Sequence, residues 1–166
     1  MKRIVFAAFT FLLVALPLSA GPQYGSSSKS NDTGEAAQFR ARIQQLYDAW
    51  SEFDPSKAAK FYAKDANLTF FDIAPMKYTG WNEYAAGVPK AFADYKSGKF
   101  TVGDDLQVHR HGNLTWATCT WTGDLTKKDD TLEKAAGRYT VVFEKRGKDW
   151  LIVHEHMSAP LGAPAK

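Results

Sequence analysis

The residues best suited to acid–base chemistry lie in the segment from Trp150 to Met157, whose alternating side chains predict a β-strand. One face of this strand is the more apolar, so we expect it to face the interior; it carries Leu151, Val153, Glu155 and Met157. A carboxyl in an apolar cavity has a raised pKa, which makes Glu155 a candidate catalytic acid or base. A structural ion pair with an arginine is the alternative.

The opposite face of the same strand carries Trp150, Ile152, His154 and His156. We expect Trp150, His154 and His156 to lie at an interface between two copies of the chain. If the two faces are exchanged, the histidines enter the interior and become the better catalytic candidates. His109 and His111 repeat the His-x-His spacing that metal sites use. Two strands would separate the pairs too widely for one ion, so we predict no metal site and no cofactor.

Asp72 is the second catalytic candidate, because it ends a predicted strand and shares a strand face with Phe70. Hydrogen bonding within its own turn, just before Pro75, is the alternative role for this carboxyl. The single cysteine, Cys119, lies in a strand-like segment, and we expect a small buried thiol there rather than a nucleophile.

These side chains need a scaffold of helices followed by strands. Helical spacing of apolar residues predicts helices over 35–53, 56–62 and 82–95, the third interrupted by Pro89. Alternation and turn residues predict strands over 67–72, 76–79, 100–110, 114–125, 132–146 and 150–157. This order is typical of an α+β fold, with three helices packed on one side of a curved antiparallel sheet.

The first twenty residues differ from the rest of the chain. Lys2 and Arg3 precede an apolar run that reaches Leu18, which is the layout of a secretory signal peptide cleaved near Ala20. The run is short for a membrane span, although an uncleaved anchor is the alternative. We therefore predict an exported protein, periplasmic or secreted. Its expected parts are a signal peptide (1–20), a flexible linker (21–34), one domain (35–162) and a tail (163–166).

Charge gives little indication of a macromolecular partner. The chain has 21 basic and 18 acidic residues, and loss of Lys2 and Arg3 with the leader would leave 19 and 18, a net charge of +1. Basic residues form no stripe with interleaved aromatics, so we expect no nucleic-acid binding. The expected partners are a small molecule and a second copy of the chain, with no stable membrane span once the leader is removed.

Three segments resemble the SnoaL-like family: Tyr62–Ala66, Tyr78–Trp81 and Gly147–Pro160. The last is the most specific, and it resembles the branch that includes the association (hub) domain of calcium/calmodulin-dependent kinases. That branch belongs to the superfamily of nuclear transport factor two and ketosteroid isomerase. The resemblance covers residues 35–162. It implies a cone-shaped domain with a pocket between the helices and the concave face of the sheet, dimers through the outer face and, in the hubs, rings of dimers.

The resemblance also bears on individual residues. It puts Phe70 where ketosteroid isomerases carry their catalytic aspartate, which counts against that chemistry, while Asp72 would reach the same cavity from its mouth. Val141 and Met157 stand where kinase hubs carry arginines for a carboxylate ligand, so a hub-like anion site is in doubt. Arg138 is instead a candidate partner for an acid on an adjacent strand.

The implied pocket would be mostly apolar and would suit a flat, hydrophobic ligand. The residues expected to bind it are Tyr62, Phe70, Trp81, Phe92, Tyr139 and Met157. Three functions stay open. The chain binds a small, mostly apolar molecule, or it is an isomerase, polyketide cyclase or dehydratase using Asp72, Glu155 or a histidine, or it is a homo-oligomeric assembly module.

Overall fold

The computed structural model of the protein describes residues 29–160. Its helices are α1 (Lys29–Ala49), α2 (Pro55–Ala58), which continues into a 3-10 turn (Ala59–Phe61), and α3 (Gly80–Ala91). Its strands are β1 (Thr69–Phe71), β2 (Tyr78–Thr79), β3 (Tyr95–Val102), β4 (Gln107–His111), β5 (Leu114–Lys127), β6 (Leu132–Arg146) and β7 (Asp149–Ser158). The predicted signal peptide, the first part of the predicted linker and the predicted tail lie outside the described residues.

The first helix begins earlier than its apolar spacing predicts, at Lys29 rather than Glu35. Its buried residues recur every three or four positions and so form one stripe against the sheet: Phe39, Ile43, Leu46 and Tyr47. Two polar side chains fix the helix to the end of β3. Arg40 Nη2 donates to the Gly103 carbonyl at 2.9 Å, and Gln44 Nε2 donates to the Phe100 carbonyl at 2.9 Å.

The third helix is shorter than predicted. It starts at Gly80, which has a φ of 69° and where a Cβ would lie 3.0 Å from the carbonyl oxygen of Ala66. Pro89 lies within its last turn, and the helix ends at Ala91. Tyr95, which we expected at the end of the helix, is the first residue of β3 instead. The prediction failed because the aromatic spacing of this segment continues past the point at which the chain changes direction.

The seven strands form one curved, unclosed sheet in the order β2-β1-β7-β6-β5-β3, and β4 also pairs with β5. The α+β class is confirmed, but the expectation of a wholly antiparallel sheet is wrong at one pair. Strands β1 and β7 run parallel, with Phe70 beside Glu155. Alternation within a strand carries no information on the direction of a partner that is distant in sequence, so the mixed pairing was not predictable from it.

The segment predicted as one strand over 100–110 consists of β3 and β4. On β5 their partners are close together, because Val102 pairs with Trp121 and Gln107 pairs with Thr118. Four residues therefore lie between β3 and β4 where β5 has two, and they leave the sheet as a short loop.

Strand β7 contains a β-bulge. Val142 on β6 pairs with His154, whereas the next residue, Phe143, pairs with Ile152, so Val153 is an extra residue on β7. An extra residue reverses the alternation of side chains between the two faces of the sheet. The face assignment predicted for this strand is therefore wrong on the N-terminal side of the bulge.

The residues before the bulge illustrate the reversal. Trp150 and Ile152 are buried, whereas Leu151 and Val153 are only partly so. Trp150 was expected at an interface between copies, but it is 8% exposed and its ring lies 5.3 Å from that of Phe39 on α1. It is a core residue beneath the first helix.

Across residues 29–160, none of the helices has both the length and the apolar character needed to cross a membrane.

Candidate functional site

A cavity of about 860 Å³ lies between α1, α3 and the inner face of the sheet. Eight of its lining residues are aromatic: Tyr47, Trp50, Phe53, Tyr84, Phe92, Tyr95, Phe100 and Trp121. Exposed residues of the loop after β1 and of the chain after β7 form part of its rim, among them Ile73 and Pro160. The volume is in the range of small-molecule sites.

The aromatic rings of this cavity pack against one another in two groups, which together form its aromatic wall. Trp50 and Tyr84 have ring centroids 5.7 Å apart, and Phe100 lies 6.0 Å from Trp121 and 6.1 Å from Tyr47. Rings packed in this way hold each other in place, so the cavity is largely formed before any ligand enters.

Glu155 is 2% exposed and lies behind the aromatic wall, not on the cavity surface. Tyr139 Oη donates to its Oε2 at 2.6 Å, and Tyr62 Oη lies 3.0 and 3.2 Å from its Oε1 and Oε2. Trp50 Nε1 in turn donates to Tyr62 Oη at 3.1 Å. An indole of the cavity wall is thus connected to the buried carboxyl through one phenol.

The environment of Glu155 sets when this carboxyl ionises. Burial raises the pKa of Glu155 to about 7, while hydrogen bonds from Tyr139, Tyr84 and Tyr62 oppose the shift and the charge of Asp72 adds to it. Burial, with the charge of Glu155, also raises the pKa of Tyr62 and of Tyr139 well above the ordinary phenol value. The phenols therefore stay protonated at neutral pH, and the carboxyl is the group that gains or loses a proton.

Asp72 follows β1 and lines the cavity. Burial raises its pKa to about 6, although the backbone N–H of Ile73 donates to its Oδ1 at 2.7 Å and opposes the shift. It thus contacts the cavity and also bonds its own turn, so the two roles considered for it are compatible. Among residues 29–160, no lysine or arginine forms an ion pair with Asp72.

The structure separates the predicted ligand-binding residues into two groups. Phe92 and Met157 line the cavity. The other four are buried behind its wall: Tyr62, Phe70, Trp81 and Tyr139. The hydroxyls of Tyr62 and Tyr139 bond to the Glu155 carboxyl, as described above. The ring of Phe70 stacks on that of Tyr84 with centroids 5.2 Å apart, and the ring of Trp81 packs on that of Tyr62 with centroids 4.7 Å apart. Their contribution is to support the wall.

Sequence analysis missed most of the aromatic lining. The sequence pattern of β5 could have identified one lining residue. In this strand Ala117, Cys119 and Trp121 alternate with exposed or partly exposed residues, so all three point inward. Tyr84 falls within the predicted third helix, but it was not among the residues expected to bind a ligand. Cys119 is buried as expected, and burial raises the pKa of its thiol to about 11, which makes it unreactive at neutral pH.

The histidines of β7 lie away from the cavity. His154 is partly buried, with its Nδ1 2.8 Å from the Thr69 carbonyl oxygen, and His156 is exposed. The two imidazoles each lie 5.6 Å from the ring of Phe71, which is itself 38% exposed. In the part of the chain that the structure describes, no three or more His, Cys, Asp or Glu side chains are grouped so as to hold a metal ion.

Comparison with known proteins agrees with this architecture. Residues 40–162 match the family model of the SnoaL-like domain. An NTF2-like superfamily protein from Salmonella enterica superposes with a TM-score of 0.69 at 18% identity, over 77% of this chain and 92% of that chain. A proposed calcium/calmodulin dependent protein kinase II association domain from Xanthomonas campestris gives 0.68 at 22%, over 87% and 100%.

A proposed dehydratase of the NTF2-like family from Streptomyces avermitilis superposes with a TM-score of 0.62 at 18% identity, over 80% of this chain and 97% of that chain. None of the curated protein sequences compared with the chain matches it. At such identities, the solved structures show a shared fold and nothing more. The family model, in contrast, matches most of the sequence, and the chain therefore belongs to the SnoaL-like family.

Proposed function

We propose that this chain is an exported SnoaL-like protein that binds a small, mostly apolar molecule in its internal cavity. The observation that carries the proposal is the aromatic wall that lines a cavity of about 860 Å³. Burial of apolar ligand surface contributes about 25 cal/mol per Å², so a flat molecule of modest size gains useful affinity from contact with this wall alone.

Binding is tested with an uncharged fluorescent probe, N-phenyl-1-naphthylamine, whose emission rises in apolar surroundings. We expect saturable binding of one probe per chain. Ala135 lines the cavity, so the larger side chain of Ala135→Trp should occupy part of it and weaken binding at least about tenfold. Lys148→Trp adds the same side chain to the exposed turn between β6 and β7 and should bind as the wild type does.

Two outcomes contradict the proposal: no saturable binding by the wild type, or equal binding by Ala135→Trp and Lys148→Trp. Denaturant unfolding of each variant shows that any loss of binding does not come from loss of the fold. Native mass spectrometry of the protein purified from its own source complements the probe, because a retained small molecule gives its own mass.

Export is a separate part of the proposal and is supported by the charged start and the apolar run of residues 1–20. The intact mass of the protein from its own source distinguishes a cleaved leader from a retained anchor. An intact, unprocessed chain in the cytoplasmic fraction would contradict export.

Acid–base catalysis in the same cavity is the second candidate. Asp72 supports it, because a carboxyl that borders the cavity and has a pKa near 6 can accept or donate a proton at neutral pH. The structural neighbour described as a proposed dehydratase points in the same direction. Once a ligand is known, measuring its turnover by the wild type and by Asp72→Asn distinguishes catalysis from binding. A protein that only binds the ligand leaves it unchanged in both cases, whereas catalysis by Asp72 requires turnover by the wild type that the variant loses.

Homo-oligomeric assembly is the third candidate. The outer face of the sheet exposes Phe71, which is 38% exposed and lies beside His154 and His156, and Trp116, which is 41% exposed and stacks on His109. A solved neighbour is described as an association domain, which supports assembly through this fold. We expect light scattering to show a homodimer. His154→Ala and His156→Ala should each weaken the dimer, while the cavity of both variants should still bind the fluorescent probe. A monomer at micromolar concentration would contradict it.

A further inference from the structure

The charges around the cavity are unequally compensated. Its lining contains three acids, Asp72, Asp124 and Glu133, and one lysine among the described residues, Lys134. Asp124 pairs with Lys134 at 3.2 Å, and Glu133 pairs with Lys127 at 2.8 Å. Asp72 is the acid that remains without a cationic partner in residues 29–160.

Two further features make the cavity favourable to positive charge. Glu155 places a second carboxyl behind the wall, close enough for the charge of Asp72 to raise its pKa. The wall itself consists largely of aromatic rings, whose faces carry negative electrostatic potential and attract cations. No arginine or histidine is among the described lining residues that would balance these groups.

We propose that the ligand of this cavity is an organic cation, namely an amine or quaternary ammonium group joined to a flat apolar body. The cationic group would lie at the rim beside Asp72, and the apolar body would lie between the rings of Trp50, Tyr84 and Trp121. This inference rests on the proposed function, because it names the ligand class of the same cavity. The carboxylate of Asp72 and the faces of the aromatic rings both attract the positive charge of such a ligand, and both would repel an anionic ligand.

The pH dependence of binding follows from the groups that face Asp72. These are Tyr78 on β2, Tyr84 on α3 and Glu155 on β7, and none of them carries positive charge. With a pKa of about 6, Asp72 is about one-tenth ionised at pH 5 and about nine-tenths ionised at pH 7. Affinity for a cation should therefore rise about tenfold over this interval.

The test compares two isosteric probes, benzyltrimethylammonium and its uncharged carbon analogue neopentylbenzene, by displacement of N-phenyl-1-naphthylamine. We expect the cation to bind at least about tenfold more tightly at pH 7, since cation–π contacts and the carboxylate both favour it. The cation's affinity should rise between pH 5 and 7, whereas that of the uncharged analogue should not change.

Asp72→Asn removes the charge with little change of shape and should reduce both the preference for the cation and its rise in affinity between pH 5 and 7, while the aromatic rings and Glu155 account for what remains. Asp104→Asn is the matched control, because Asp104 is a fully exposed aspartate in the loop between β3 and β4. Equal or tighter binding of the uncharged analogue overturns the cation proposal and leaves the proposed binding function intact. A preference that is undiminished in Asp72→Asn also overturns it. Failure of all three probes to bind contradicts the binding function itself.

Discussion

The buried carboxyl of Glu155 should make the stability of this protein depend on pH in a way that one substitution removes. Its pKa in the folded protein is about 7 and its ordinary value is 4.5, because burial disfavours the ionised form. The folded protein therefore binds this proton more tightly than the unfolded chain does. This tighter binding of the Glu155 proton stabilises the folded state. The stabilisation is fully present below about pH 4.5 and is lost as pH rises through about 7.

The size of the effect follows from the shift. A difference of about 2.5 units, at about 1.4 kcal/mol each, corresponds to about 3.5 kcal/mol, of which about 2.5 kcal/mol is lost between pH 5 and pH 8. Glu155→Gln keeps the shape of the side chain and cannot ionise. We expect the free energy of unfolding of the variant relative to the wild type to increase by about 2.5 kcal/mol across that range.

Urea unfolding at intervals from pH 5 to pH 8 measures this difference. Glu52→Gln is the matched control, since Glu52 is an exposed acid whose ion pair with Lys57 is worth less than about 1 kcal/mol. Asp72 is present in both proteins, so its own titration largely cancels. Parallel stability curves for the wild type and Glu155→Gln would refute the reasoning, because they would show that Glu155 ionises equally easily in the folded and unfolded states.

Three further predictions use the same methods. Tyr139→Phe removes a hydrogen bond that lowers the pKa of Glu155, so the pH at which stability is lost should move upward in the same urea series. Gly137→Ala should destabilise the fold by about 1–3 kcal/mol, because a Cβ would lie 2.2 Å from a backbone carbonyl oxygen of β7 and 2.8 Å from Trp121 Nε1; an unchanged urea midpoint would contradict this. Cys119 should react with a thiol reagent at pH 8 only at the rate of unfolding, and rapid labelling of the folded protein would show that the thiol is accessible.

Much of the fold was predictable because it depends on local patterns. The long strands β5 and β6 have strict alternation and are bounded by turn residues, so their limits agree with prediction to within a few residues. The first helix was recognisable from its single apolar stripe. Glu155 was recognised as an unusual acid because a charged residue on an apolar strand face requires an explanation.

The rest depends on contacts between distant parts of the chain. The bulge at Val153 has no marker in its own sequence, since an apolar residue suits a regular strand equally well. The parallel pairing of β1 with β7 joins residues 85 positions apart, as in Thr69 with His154. The division of aromatic residues between cavity wall and core depends on the direction of each ring, which spacing along the chain does not specify.

The extra residue in β7 determines the sign of the charge that the interior of this protein can carry. In a regular strand, burial of Trp150 and Ile152 under α1 would turn His154 inward and Glu155 outward. The interior would then contain an imidazole, which ionises to a cation, in place of a carboxyl, which ionises to an anion. A single inserted residue thus decides whether an acid or a base of this strand points inward, and the length of the strand helps to set the charge of the ligands that the interior favours.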